Sequence, residues 1–276
     1  MMYPAFMLKY PLLPIILLSF LADLPAQNSA PLFFDLGDKS ALLSTLFDSD
    51  FIEPNGEVLW EPLTFADRLM VSTSDDSLFH TRLDTILYFS SFGIQQAVAV
   101  FATYNYQKKK LNACQACGAQ LSFATFDETV TGQWQIERFA KHLMALGSLG
   151  ENGETELLQF GENQWCLQLK MGWMGQGIYS EHVSFVNLDD FSTIFTFVSH
   201  EDNSGVLHLP AERAYSFDRS IHFLNQEPER ATAWWEFDLV SRGTNLSETE
   251  ELTVPANYVK RYRYDWETRS YTRACP

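Results

Sequence analysis

From about residue 83 onward, apolar and polar positions alternate in short runs broken by turn residues. That period of two is the mark of half-buried strands with antiparallel connections. The clearest run is Ala231 to Val240, where Ala233, Trp235, Phe237 and Leu239 point one way and Thr232, Trp234, Glu236 and Asp238 the other. Upstream the period is helical: Leu42, Leu43 and Leu46 fall on one stripe between Asp38 and Phe47, and Asp38 or Ser40 stands where a side chain caps the first turn.

The strand-like runs fall into three units of four, at a spacing of about 65 to 70 residues. The first comprises Thr85 to Ser90, Ala97 to Tyr104, Gln120 to Phe126 and Gln133 to Phe139. The second comprises Glu156 to Phe160, Trp165 to Met171, His182 to Leu188 and Ser192 to Ser199. The third comprises Ser220 to Leu224, Ala233 to Val240, Tyr258 to Tyr264 and Arg269 to Arg273. Gly93 and Gly161 stand in the first turns of their units, and Ser122-Phe123 matches Ser184-Phe185 in the third strands. The pattern predicts a mainly β protein of antiparallel four-strand meanders with one short N-terminal helix. Three meanders are fewer than the roughly four to eight blades of a propeller, so the expected architecture is a partial propeller-like array or a β-sandwich. The predicted division is a leader over 1–30, a lead-in over 31–80, and a β-rich domain over 81–276, with units at about 83–140, 154–200 and 219–274.

The leader is read from Lys9, the apolar stretch Pro11 to Leu21, and small residues at Ala26 and Ala30. The stretch carries Pro11 and Pro14 and is shorter than the roughly 20 residues that span a bilayer. Cleavage rather than anchoring is expected, giving an exported chain, periplasmic or extracellular, with no integral membrane span. The net charge of −16 leaves no clustered cations for a phosphate backbone or an anionic membrane, which excludes nucleic acid as a partner. Lys108 to Lys110, the one basic run, reads as a solvated loop.

The sharpest local motif is Cys114-Gln115-Ala116-Cys117. The segment after it alternates like a strand, whereas a thioredoxin-type site needs a helix there. Gly118 stands where a haem-attachment motif needs His, and no second Cys or His pair completes a zinc site. No metal and no cofactor are therefore expected. In an oxidising compartment Cys114, Cys117, Cys166 and Cys275 are disulfide or redox candidates, and four cysteines allow three pairings. Cys166, inside an apolar run, also reads as a buried free thiol. Gly172-Trp173-Met174-Gly175-Gln176-Gly177 has no helix after it to hold a phosphate and reads as a tight turn. Asp202-Asn203-Ser204-Gly205 lacks the length and closing Glu of a calcium loop and reads as a hairpin turn. Trp173, Tyr179, Trp234 and Trp235 offer either a sugar-stacking platform or core packing.

In order along the chain, Cys114-Gln115-Ala116-Cys117, Gly147-Ser148-Leu149-Gly150, Gly175-Gln176-Gly177, Asp202-Asn203-Ser204-Gly205, Ala233-Trp234-Trp235 and Tyr262-Arg263-Tyr264-Asp265 form a set. Through it the chain resembles a family of uncharacterised exported bacterial proteins with a C-x-A-C motif and no established activity, over roughly residues 83 to 273. In that family the Cys pair often encloses a His, where this chain has Gln115. The resemblance implies export and architecture, and the departure weakens a metal or redox role for the pair.

In a propeller-like array, the connections between second and third strands gather on one rim. That rim would hold Asn112 to Gln120, Gly172 to Gly177 and Arg242 to Pro255, with Gln115, Trp173, Gln176 and Tyr179 as binding candidates. The expectation is a non-catalytic exported or envelope-associated protein that binds an unknown ligand or protein partner there. The alternative is a secreted enzyme, with a thiol-disulfide or metal-linked site at the C-x-x-C loop or a carboxylate-based hydrolase. A pocket of convergent polar groups separates the two.

Overall fold

The computed structural model describes residues 32–61, 79–107, 110–111, 118–147, 153–224, 234–247 and 252–274. The expected leader over 1–30 lies outside them. Among the described residues antiparallel strands dominate, a single short α-helix stands near the N-terminus, and one of the two sheets is curled into a half-barrel.

The first sheet contains β1 (Phe33–Phe34), β2 (Val58–Trp60), β3 (Phe79–Ser91), β4 (Ile94–Gln107), β5 (Lys110–Leu111), β6 (Ala119–Glu128) and β7 (Trp134–Leu146). Its order is β1-β7-β6-β4-β3-β2, with β5 added to β4. Central strand β4 is buried on both faces, so Ala97 through Ala102 are sealed from solvent whichever way they point. Ala97, Ala99 and Phe101 meet α1 (Lys39–Phe47), which contributes Leu42, Leu43 and Phe47. Asp38 caps α1 by accepting from Ala41 N at 3.0 Å. The lead-in is thus part of the first core, with Phe34, Leu36, Val58 and Trp60 in the same cluster.

The second sheet runs as a meander through β8 (Glu154–Gly161), β9 (Gln164–Gly175), β10 (Ile178–Asn187), β11 (Thr193–Asp202), β12 (Ser216–Phe223), β13 (Phe237–Leu246), β15 (Tyr258–Asp265) and β16 (Ser270–Arg273). The short strand β14 (Thr253–Pro255) adds to β13. Eleven of the twelve predicted segments lie on strands to within a residue at either end, and the described part of Ala233 to Val240 joins one only from Phe237; the second and third units are not separate blades. β11 pairs with β12 and fuses them into one sheet.

The sheets share a core in which Val98, Val100, Ala102, Leu121 and Phe123 of the first meet Leu167, Leu169, Val186 and Leu188 of the second. Each buried Val, Leu or Phe side chain among them contributes about 1.5–3 kcal/mol. Two turns lock the sheets at one end. The β3–β4 turn donates from Phe92 N to Asn163 Oδ1 of the β8–β9 turn at 2.7 Å, and Trp165 Nε1 donates to Ser90 O at 3.1 Å.

The remaining face of the second sheet closes over an aromatic cluster of Phe160, Phe185, Trp234, Phe237 and Tyr271. Here the expected facing is corrected. Trp234, placed on the side opposite Phe237 with Thr232, Glu236 and Asp238, is buried in the same cluster as Phe237 and stacks on Tyr264 at 4.4 Å, while Trp235 packs on Phe223. Trp234 bridges Gly161 before β13 begins at Phe237, so the run from Trp234 to Val240 is not one continuous strand and its alternation breaks.

Candidate functional site

The β9–β10 hairpin closes with Gly175 opposite Ile178, leaving Gln176 and Gly177 as the two turn residues, with φ of 53° and 82°. Both central residues are left-handed, the backbone that matches strand twist in a two-residue hairpin. The glycines serve three different ends. A Cβ on Gly172 would lie 2.9 Å from the Tyr179 hydroxyl, and one on Gly175 would lie 2.2 Å from Trp173 Cζ2. Bare backbone at those positions therefore makes room for two aromatic rings. At Gly177 a Cβ would lie 2.4 Å from the carbonyl carbon of Gly205, and Gly205 N donates to Gly177 O at 3.0 Å.

Gly205 belongs to the connection 203–215, which the sequence reading compressed into a hairpin turn at Asp202 to Gly205. The connection is longer and includes a turn of 3-10 helix, Ala211–Arg213. Buried Asn203 braces it: Oδ1 accepts from Tyr215 N at 2.8 Å, and Nδ2 donates to Arg213 O at 2.8 Å. On its far side the Thr253 hydroxyl of β14 shares its one proton between Glu212 O at 2.8 Å and Ala214 O at 3.0 Å. Gly172 to Gly177 and the described part of Arg242 to Pro255 thus flank one loop. The loop itself was missed; the available signal was Pro210 followed by Glu212-Arg213, which ends any strand pattern after Leu209 and before Ser216. An open depression of about 440 Å³ lies at its root, lined by Asp202, Asn203, Ser204, Ala214, Tyr215 and Ser216.

Trp173 is partly exposed, and Met174, Leu207, Leu252 and Val254 are exposed around the same loops. Register makes Ser180 the neighbour of Trp173, Glu201 the neighbour of Ser180, and Phe217 the neighbour of Glu201. Tyr179 is opposite Met174 and so faces away from Trp173. With Trp234 and Trp235 packed elsewhere, the four aromatics do not make one platform, and Trp173 presents its indole alone.

Two polar clusters occupy the two faces. On the face of Trp173, buried Ser180 donates to Glu201 Oε2 at 3.1 Å, and Tyr215 donates to Glu201 Oε1 at 2.9 Å. A serine has one hydroxyl proton, so Ser180 accepts from His182 Nε2 at 3.2 Å. This direction is opposite to that of a serine nucleophile activated by histidine. On the other face, His200 contacts Asp218 Oδ1 through Nδ1 at 2.8 Å and Asp202 Oδ2 through Nε2 at 3.2 Å. The hydrogen bond to Asp218 leads the effects that hold this imidazole's pKa above its ordinary 6.5, Asp202 adds to it, and burial opposes. The Ser204 hydroxyl and backbone N–H hold the Asp202 carboxyl below its usual range.

Cys166 is a free thiol, sealed among Phe160, Val183 and Phe185. Burial, reinforced by Asp189 and Asp190, pushes its pKa up and keeps it a thiol. It corresponds to the buried-thiol reading, not to half of a bridge. Cys114, Gln115, Cys117 and Cys275 lie outside the described residues, as does Asn112 to Cys117 of the first rim segment. Among the described residues no three His, Cys, Asp or Glu side chains are grouped to hold a metal ion, and no helix is long and apolar enough to cross a membrane. No protein-family model, curated protein or solved structure matches the chain.

Proposed function

We propose that the chain is an exported, periplasmic or extracellular binding protein that works without catalysis. It takes its ligand on the rim made by the β9–β10 hairpin, the 203–215 loop and the β13–β14 hairpin. What supports this reading most is how the rim is built. The β9–β10 turn, the 203–215 loop and strand β14 are tied together through Gly177 and Gly205 on one side and through Thr253 on the other. Side chains carried on such a frame are ordered before a ligand arrives, which lowers the entropic cost of binding.

The chemistry favours a neutral, hydroxyl-rich ligand such as an oligosaccharide. The Trp173 indole suits the C–H face of a sugar ring, and the Glu201 carboxylate and nearby hydroxyls suit its polar edge. A net charge of −16 turns polyanions away.

The test uses protein recovered from its own host's envelope or medium, screened on immobilised neutral oligosaccharides. Trp173→Ala is compared with Trp266→Ala, an exposed indole beyond the opposite end of β15. Retention lost in the first variant alone supports the reading. Equal loss in both, or no retention of the wild-type protein, removes it. Mass spectrometry of the same material reads the mature N-terminus, and an intact Met1 removes export.

A further inference from the structure

Along the path from β8 to β16, the shortest ladder of the second sheet joins β11 to β12. β10 and β11 pair from Tyr179 to Val186, but β11 and β12 pair only through His200 with Asp218, Glu201 with Phe217, and Asp202 with Ser216. The 203–215 loop leaves from the end of that ladder. His200 bridges it in both directions, across to Asp218 at 2.8 Å and along its own strand to Asp202 at 3.2 Å, where the loop begins. A carboxylate only accepts, so both bonds exist together only when each ring nitrogen carries a proton, that is, in the imidazolium.

We infer that His200 is a proton-operated staple at the β11–β12 junction: charged, it ties the entry of the 203–215 loop to β12, and neutral, it releases Asp202 and loosens the loop. Losing a proton leaves one N–H. The shorter bond to Asp218 retains it, and the bare Nε2 lone pair then faces a carboxylate oxygen. One further carboxylate, Glu181, and two cations, Lys170 and Arg242, occupy neighbouring positions on the strands around His200. Glu201 follows it on β11 and faces the other way. Glu181 of β10 is opposite His200 in register and is paired with Lys170 of β9 at 3.1 Å. Arg242 of β13 is opposite Asp218, and the Tyr179 ring lies 5.8 Å from the imidazole.

A histidine whose pKa is raised by folding stabilises the folded state fully below its ordinary 6.5, and that contribution is lost as pH rises through the raised value. Asp202, held low, sets the acid limit: its contribution is present above its ordinary 3.8 and lost as pH falls through the depressed value. The staple is therefore complete in mildly acid surroundings and opens on the alkaline side. It needs no ligand, so it stands or falls separately from the binding reading.

Hydrogen exchange of the full chain, measured from about pH 5 to pH 8 and corrected for intrinsic rates, tests it. Protection of the amides at 203–206 and 213–216 is expected to fall about two- to fivefold as His200 titrates, the factor set by a part-exposed ion pair. Amides of β4 are expected to hold steady. His200→Gln should flatten the profile. Asp218→Asn, at an exposed carboxylate, should move the midpoint down toward an ordinary histidine. A flat wild-type profile, or the same fall in His200→Gln, overturns the staple.

Discussion

Gly177→Ala probes whether the rim is rigid, because two separate costs meet at that position and one can be subtracted. Gly177 has φ of +82°, and a Cβ there would lie 2.4 Å from the Gly205 carbonyl carbon and 2.5 Å from Val206 N, both backbone. Gly56 has nearly the same conformation, φ of +83°, with nothing within 4 Å of the same added atom. Gly56→Ala therefore carries only the left-handed penalty of about 1–2 kcal/mol, less up to about 1 kcal/mol returned by a stiffer unfolded chain. Gly177→Ala carries that and also forces the 203–215 loop away, an overpacking cost of about 1–3 kcal/mol. In a domain of this size about 1 kcal/mol moves the melting temperature by 2–4 °C. Scanning calorimetry of both variants should place Gly177→Ala about 2–12 °C below Gly56→Ala. Exchange at the Gly205 amide, which donates to Gly177 O, should accelerate only in the former. Coincident melting curves would mean that the loop yields freely, and the preordered rim would be lost with it.

Three further outcomes follow from other parts of the fold. Cys166 should resist a thiol reagent in the native protein and react once urea unfolds it, since its burial leaves neither access nor thiolate; labelling at native rates would contradict the aromatic cluster around it. Burial pushes the Tyr264 phenol up to about 12 from 10.0, so its contribution to stability is complete below pH 10 and lost as pH climbs toward 12. Ultraviolet titration should show a late phenolate that Tyr264→Phe removes. Asp38→Ala deletes the cap on α1 and should cost about 1 kcal/mol in urea unfolding, with Asp38→Ser recovering most of it.

Most of the strands were legible because they bury one face, and a buried face writes its period directly into the residues. Pairing order was less legible. Only three residue pairs join β11 to β12, and nothing in Ser192 to Ser199 or Ser220 to Leu224 marks these strands as neighbours. Alternation also misled where the backbone bends. At Trp234 the chain bridges Gly161 before the strand proper starts, so a count of two from Phe237 assigns the indole to the wrong side. The candidate site was partly visible for a different reason. Gly172, Gly175 and Gly177 signalled a turn, but the ring over Gly172 is Tyr179, set by register across β9 and β10, while the ring over Gly175 is Trp173 of the same strand.

The rim and the weak junction coincide, and the coincidence has a physical basis. β4 is covered on both faces and flanked by long ladders to β3 and β6, so its amides should open only with global unfolding. The β11–β12 ladder is short, lies at the open end of the sheet, and leaves its cross-links to side chains: Glu201 with Tyr215 on one face and His200 with Asp218 on the other. Backbone pairing is insensitive to pH in the neutral range, whereas a histidine set between carboxylates is not. A loop hung from such a junction therefore answers to proton concentration while the sandwich beneath it does not. Local opening in this protein should begin at residues 203–215 and stop short of the core shared by the two sheets.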